Sequence, residues 1–146
     1  GHTPLPWPID DEYVDHDCWC GMRGCLETYL AGPAVSAEYE KLSGKAMTVQ
    51  EIAANAHLDL AAQCVLQAFE DRLARALSQM ITLIDPDAIV LGGGLSNLDR
   101  IYTNVPRKFS SFVFSSSPVK TPLLKPKYGD SSGVRGAAWL WGDGTA

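Results

Sequence analysis

Three of the four cysteines fall within eight residues, Cys18-Trp19-Cys20-Gly21-Met22-Arg23-Gly24-Cys25. Thiols packed this tightly suit a tetrahedral zinc ion, which takes thiolate and imidazole ligands. Gly21 and Gly24 permit the sharp backbone turn that would present the sulfurs together. A dispersed disulfide framework would space its cysteines differently, and a Cys-x-Cys pair is poorly placed to bridge itself. The clustering therefore favours a structural metal and a reducing, cytoplasmic compartment. A fourth ligand is still required, and His2, His16 and His57 are the candidates. His16 is separated from Cys18 by a single residue, a short leash for two corners of one tetrahedron, and His57 belongs to a separate helical stretch. His2 comes from a distant arm and would tie that arm down. Cys64 stands alone at helical spacing and is expected to be a small core residue.

Two further positions have chemical potential. Glu27, two residues beyond Cys25, would be held by the metal loop as an acceptor for substrate hydroxyls, or would merely oppose the dipole of the helix it opens. Gly92-Gly93-Gly94, read as following a strand and preceding a helix, would let a nucleotide approach the backbone closely. It is neither a Gly-x-Gly-x-x-Gly fingerprint nor a Walker A loop, and a bare strand-to-helix turn would look the same. The acidic run from Asp10 to Asp17 (Asp10, Asp11, Asp15, Asp17) is expected to face solvent. Trp139 and Trp141 are expected to pack the last helix.

The elements that must position these residues follow from periodicity. Residues 1–20, rich in Pro and Asp, read as an ordered arm. Leu26 to Leu42 is helical but broken at Gly32-Pro33. Thr48-Val49-Gln50-Glu51 is a capping box before a short helix. From Leu58 to Ile84, apolar residues recur every three or four positions, while Glu70, Asp71, Arg72 and Arg75 are assigned to the opposite face. Such a helix would be about 40 Å long. Asp85-Pro86 stops it. Ala88-Ile89-Val90-Leu91 reads as a buried strand. Asn97 is placed as the cap of a helix over 98–112. A strand interrupted by Pro122 follows over 119–124, and Asp130-Ser131-Ser132-Gly133 would cap a closing helix. The sequence is α/β in organisation.

At 146 residues the chain has the length of one domain or of part of a larger one. With 46% hydrophobic and 20% charged residues it can support a packed core and is not a disordered chain. A net charge of −5 argues against nucleic acid as the main partner. No apolar run reaches the length of a membrane span. The start at Gly1, without Met, is read as the inside of a longer protein.

Taken in order, Gly1-His2, Cys18-x-Cys20-Gly21-x-x-Gly24-Cys25-x-Glu27 and Asp85-Pro86-Asp87-x-Ile89-Val90-x-Gly92-Gly93-Gly94 resemble the ROK family of sugar kinases and sugar-responsive repressors. Within it, the 1–7 opening and the 129–139 close look most like bacterial fructokinases, with N-acetylglucosamine kinases next. The resemblance implies the actin-like, ribonuclease-H-like sugar kinase fold, here its C-terminal portion with a zinc loop and a long helix. Residues 1–27 would form the substrate- and zinc-binding arm, and 28–146 the C-terminal α/β part of the sugar and nucleotide cleft. It also implies Zn2+ on His2, Cys18, Cys20 and Cys25, and sugar contacts from His2 and Glu27. Gly92, Gly93 and Gly94 would line the nucleotide side. ATP, Mg2+ and a hexose, fructose first, are the implied ligands, and a homodimer is compatible. The family's phosphate-binding Asp-x-Gly-x-Thr loop and its catalytic aspartate have no match here. No catalytic residue is therefore expected in this chain, and its partner would be the missing N-terminal half. A sugar-sensing repressor domain and a zinc-stabilised interaction module are the alternatives.

Overall fold

The computed structural model describes residues 1–12 and 16–140. Asp15 of the acidic run and Trp141 of the final tryptophan pair lie outside the described residues. The helical half of the fold follows the sequence closely. Helix α1 (Glu27–Leu30) ends at extended Ala31, and α2 (Gly32–Ser43) restarts with Pro33 in its first turn. There the missing proline N–H has no intrahelical partner to lose. Gly44, at φ 72°, closes α2 in the left-handed conformation that glycine adopts without penalty. The capping box forms at α3 (Val49–Asn55). Glu51 N donates to Thr48 Oγ1 at 3.3 Å, and Thr48 N donates to Glu51 Oε2 at 2.8 Å.

Helix α4 (Leu60–Ile84) is the scaffold. Asp59 Oδ1 accepts the amides of Ala61 and Ala62, while its Oδ2 accepts the Tyr39 hydroxyl at 2.6 Å. One carboxylate thus starts α4 and fastens it to α2. Val35, Tyr39, Ile52, Val65, Leu66 and Phe69 form the buried junction of α2, α3 and α4, continued by Ile101, Val105 and Phe109. After left-handed Asp85 the chain enters β1 (Ile89–Val90), which pairs in parallel with β2 (Leu123–Leu124), Ile89 opposite Leu123. Between the strands lie a 3-10 turn over Gly94–Asn97, α5 (Asp99–Asn104) and a second 3-10 segment over Pro106–Ser111. Helix α6 (Ser132–Trp139) closes the described chain.

Several expectations are corrected. Glu70, Arg72 and Arg75 do not take a solvent face of α4; Glu70 and Arg75 are each 2% exposed. They are buried because they are paired. Arg100 Nε donates to Glu70 Oε1, and Asn104 donates to Oε2. Arg75 and Arg72 both bind Glu12, so the acidic run does not wholly face solvent. Cys64 is exposed rather than core, because the neighbouring α4 positions 62, 65 and 66 take the buried face. The strand at 89–90 is covered on one face only: Ile89 packs against the core, while Val90 is 60% exposed. A parallel sheet normally has both faces covered, and this one is two strands with an open face. Asn97 ends a 3-10 turn instead of capping α5, and Pro106 divides the helix expected over 98–112. No side chain caps α6: Ser131 and Ser132 donate to the carbonyls of Tyr128 and Gly129. Trp139 is 75% exposed, because α6 buries none of its residues. No described helix is long and apolar enough to cross a membrane.

Candidate functional site

The arm, residues 1–12, runs antiparallel to the end of the cysteine loop. Leu5 N donates to Gly24 O, Leu26 N to Thr3 O, and Glu27 N to Gly1 O, at 3.2, 2.9 and 2.9 Å. The loop is a tight hairpin, with Cys18 N bonded to Met22 O and Gly21 N to Cys18 O. Gly21 (φ 86°) and Gly24 (φ 66°) occupy the left-handed region that the turn demands. This construction brings the side chains of His2, Cys18, Cys20 and Cys25 together, with their ligand atoms within 4.8 Å of one another.

The pairwise distances test whether a metal fits. Cys20 Sγ lies 3.7 Å from Cys25 Sγ, and His2 Nδ1 lies 3.5 Å from Cys18 Sγ. A tetrahedral zinc with bonds of about 2.3 Å to sulfur and about 2.0 Å to nitrogen has S···S edges of about 3.8 Å and N···S edges of about 3.5 Å. The separations match those edges and are far too long for a disulfide. Burial and the adjacent Cys20 and Cys18 push the Cys25 thiol up to about 11. The cluster thus resists carrying several negative charges unaided, which is the electrostatic setting for a dication. His16 and His57 are not in the cluster. The His16 ring packs edge-on against Tyr29, with centroids 4.9 Å apart, and His57 is exposed in the turn between α3 and α4.

Glu27 is the first residue of α1, and its side chain is exposed beside the arm. A Cβ on Gly1 would stand 3.0 Å from Glu27 Oε2, so the arm backbone and this carboxylate meet as closely as a glycine permits. Glu27 therefore shares one surface with the His2–cysteine cluster.

Gly92, Gly93 and Gly94 are exposed, and added Cβ atoms there would meet nothing within 4 Å. Gly94 lines a cavity of about 340 Å3 with Leu95, Gly32, Pro33, Ser36, Val49 and Gln50. The first turn of α2 borders that cavity without a side-chain cap. Pro33 has no N–H and Ala34 N donates to Ala31 O at 3.0 Å, so the helix start offers an anion the Gly32 amide and the positive end of the helix dipole. Sequence reasoning missed this contribution from Gly32. The Gly32-Pro33 break is visible in the sequence, but nothing local marks it as a helix start that borders a cavity. Helix α1 is a single turn, about 6 Å of rise, so the Glu27 carboxylate and the start of α2 stand at the two ends of one short helix. A larger cavity of about 680 Å3, lined by Ile9, Asp11, Glu12, His16 and residues of α1, α2 and α4, includes no residue of the His2–cysteine cluster and neither Glu27 nor the triple glycine.

The buried contacts of Glu12 and Arg75 were also missed. Arg75 Nη2 lies 2.6 Å from Glu12 Oε1, and its Nη1 donates to Glu12 Oε2 and to Trp7 O, both at 2.7 Å. Arg75 Nε lies 3.0 Å from Asp71 Oδ2 without hydrogen-bond alignment. Burial by itself would raise the Glu12 pKa, but hydrogen bonds from Arg75 and Arg72 hold it down at about 2.

The chain resembles known sugar kinases in sequence and in fold. The chain is 39% identical over 148 residues to the N-acetyl-D-glucosamine kinase of Pasteurella multocida (strain Pm70), covering 97% of this chain and 48% of that one. It superposes with TM-score 0.76 on a ROK hexokinase from Thermus thermophilus, 23% identical, covering 94% of this chain and 45% of that one. It also superposes with TM-score 0.76 on a ROK family glucokinase from Streptomyces griseus in complex with glucose and AMPPNP, 22% identical, covering 96% and 49%. The chain thus spans about half the length of the relatives it matches. The two superpositions establish the fold as that of ROK sugar kinases. The ROK family profile matches residues 1–143, and the chain belongs to that family.

Proposed function

We propose that the protein to which this chain belongs is an ATP-dependent sugar kinase that moves the γ-phosphoryl group of ATP to a hydroxyl of N-acetyl-D-glucosamine. The fructose expectation gives way, because the relatives at 35–42% identity are named N-acetyl-D-glucosamine kinases. The observation that carries the proposal is the pairing of two half-sites across one helical turn. An exposed carboxylate stands beside the arm at Glu27, and an uncapped helix start shares a cavity with Gly94. A sugar hydroxyl donates well to the first, and nucleotide phosphate is favoured by the second.

In this reading His2, Cys18, Cys20 and Cys25 hold a structural zinc ion. When bound, zinc supplies a rigid tetrahedral cross-link between the arm and the hairpin. His2, engaged through Nδ1, keeps Nε2 for a contact to the sugar. Glu27 accepts from sugar hydroxyls and fixes the ring's orientation. Gly92, Gly93 and Gly94 let the nucleotide lie against bare backbone. Phosphoryl transfer depends mainly on positioning and on neutralising charge, and Mg2+ supplies much of the latter when bound with ATP. The proton acceptor and the phosphate loop are assigned to the other half of the full-length protein, so these 146 residues alone are expected to be inactive. That half would also cover the open face of the β1–β2 sheet.

The test is sugar-dependent ADP release by the full-length protein with N-acetylglucosamine, glucose and fructose. The expected result is the highest kcat/KM on N-acetylglucosamine. No sugar-dependent release with any of the three would overturn the proposal.

A further inference from the structure

We propose that Arg75 is a positioning residue for the arm. It clamps the backbone of Pro6 and Trp7 to the Glu12 carboxylate, and so holds His2 at the cysteine hairpin and Gly1 beside Glu27. This inference rests on the sugar-wall reading above, and it concerns a side chain far from the chemistry.

The arm has little to hold it. Pro4, Pro6 and Pro8 have no N–H to donate, and among the described residues three backbone bonds, through Leu5, Leu26 and Glu27, join the arm to the end of the cysteine loop. Register in such a short ladder is weakly specified, and a slip of one residue would turn His2 to the other face. Register is therefore set by whatever fixes the far end, residues 6–12. At that end Trp7 has φ 45°, a left-handed conformation unfavourable for a bulky side chain. Two contacts hold it there. Its ring stacks on Phe112, with centroids 5.9 Å apart and planes at 17°. Its carbonyl accepts from Arg75 Nη1 at 2.7 Å, and the Pro6 carbonyl lies 3.3 Å from the same nitrogen.

Arg75 is itself fixed by two bonds to Glu12, and Glu12 accepts from Ile9 N at 3.0 Å. The turn over 6–12 is thus closed on the middle of α4: Arg75 binds the two carbonyls and Glu12, and Arg72 Nε adds a bond to Glu12 Oε1 at 2.8 Å. An apolar pair of similar volume would serve the core equally well, since buried ion pairs seldom add net stability. It would leave the carbonyls of Pro6 and Trp7 without that donor. The fork of a guanidinium reaches two carbonyls and one carboxylate at once, which an ammonium does not.

The experiment compares full-length wild-type protein with Arg75→Met, Arg75→Lys and Phe112→Ala. The first readout is hydrogen exchange at the amides of Leu5, Leu26 and Glu27. Arg75→Met should speed exchange there about tenfold, with Arg75→Lys intermediate, while the α3 amides stay protected. Sugar KM should rise about tenfold and KM for ATP should stay within about twofold, because only the sugar wall loses its register. Should Arg75→Met fail to fold, Phe112→Ala loosens the same turn without stranding a buried charge. It should accelerate the same amides by a few-fold. Wild-type exchange at the three amides in a folded variant overturns the clamp, whatever the activity. Faster exchange in a protein that phosphorylates no sugar would leave the clamp standing and overturn the kinase proposal instead.

Discussion

Replacing Glu12 by Gln removes one negative charge from a buried site and keeps its shape. In the folded protein the Glu12 carboxyl titrates at about 2, against an ordinary 4.5. The difference of roughly 2.5 corresponds to about 3 kcal/mol of stability, since each pKa unit is worth about 1.4 kcal/mol. Because the folded value lies below the unfolded one, this stability is fully present above pH 4.5. It is lost as pH falls from 4.5 towards 2. The Glu12 side chain is only 3% exposed, so solvent screening takes little from the figure. Breaking a buried pair from one side independently suggests a cost of about 3–5 kcal/mol. Urea unfolding of wild type and Glu12→Gln between pH 7 and 2.5 measures it. Wild type should lead by about 3 kcal/mol at pH 7, and the gap should narrow to about 1 kcal/mol at pH 2.5. Taking the difference cancels groups that titrate alike in both, such as Asp59 and Glu51, whose pKa values are also lowered. A gap that stays constant with pH would refute the assignment.

Other substitutions probe the remaining links. Thr48→Ala removes the N-terminal bond of α3 and should cost about 1 kcal/mol in urea unfolding, with Thr48→Asn largely restoring it. Glu70→Ala strands Arg100 and Asn104 beside α4 and should cost about 3 kcal/mol by the same measurement, far more than a surface Glu→Ala change. Glu27→Gln keeps an acceptor but loses its charge; kcat/KM for the sugar should fall by about tenfold or more, with zinc content unchanged by metal analysis.

Local chemistry was legible wherever one short segment decided it. The Thr48–Glu51 box and the Gly32-Pro33 break each depend on neighbours within a turn or two, and each forms as read. The cysteine loop was legible because sequence adjacency nearly forces spatial adjacency; only the choice of histidine needed the fold. Burial along α4 is harder to read, because charge ordinarily implies solvent. Yet Arg72, its side chain 12% exposed, continues the spacing of buried Val65 and Phe69, and buried Glu70 stands four residues from both Leu66 and Ala74, buried as well. The partners that make such burial tolerable, Glu12 and Arg100, are 63 and 30 residues away from Arg75 and Glu70, and no local pattern announces them. The strand at 89–90 misled in the opposite sense. Its apolar run calls for two covered faces, and the described residues cover it incompletely.

The central claim is that His2 and the cysteine hairpin, cross-linked by zinc, hold the sugar wall in place. Calorimetric titration of N-acetylglucosamine into the full-length protein, zinc-loaded and then zinc-stripped, tests it most directly. One zinc per chain should be present in the loaded form. Stripping should weaken sugar binding by about tenfold or more, leave nucleotide binding within about twofold, and be reversed by adding zinc. Equal sugar affinity in the two forms, with the protein still folded, would contradict the account.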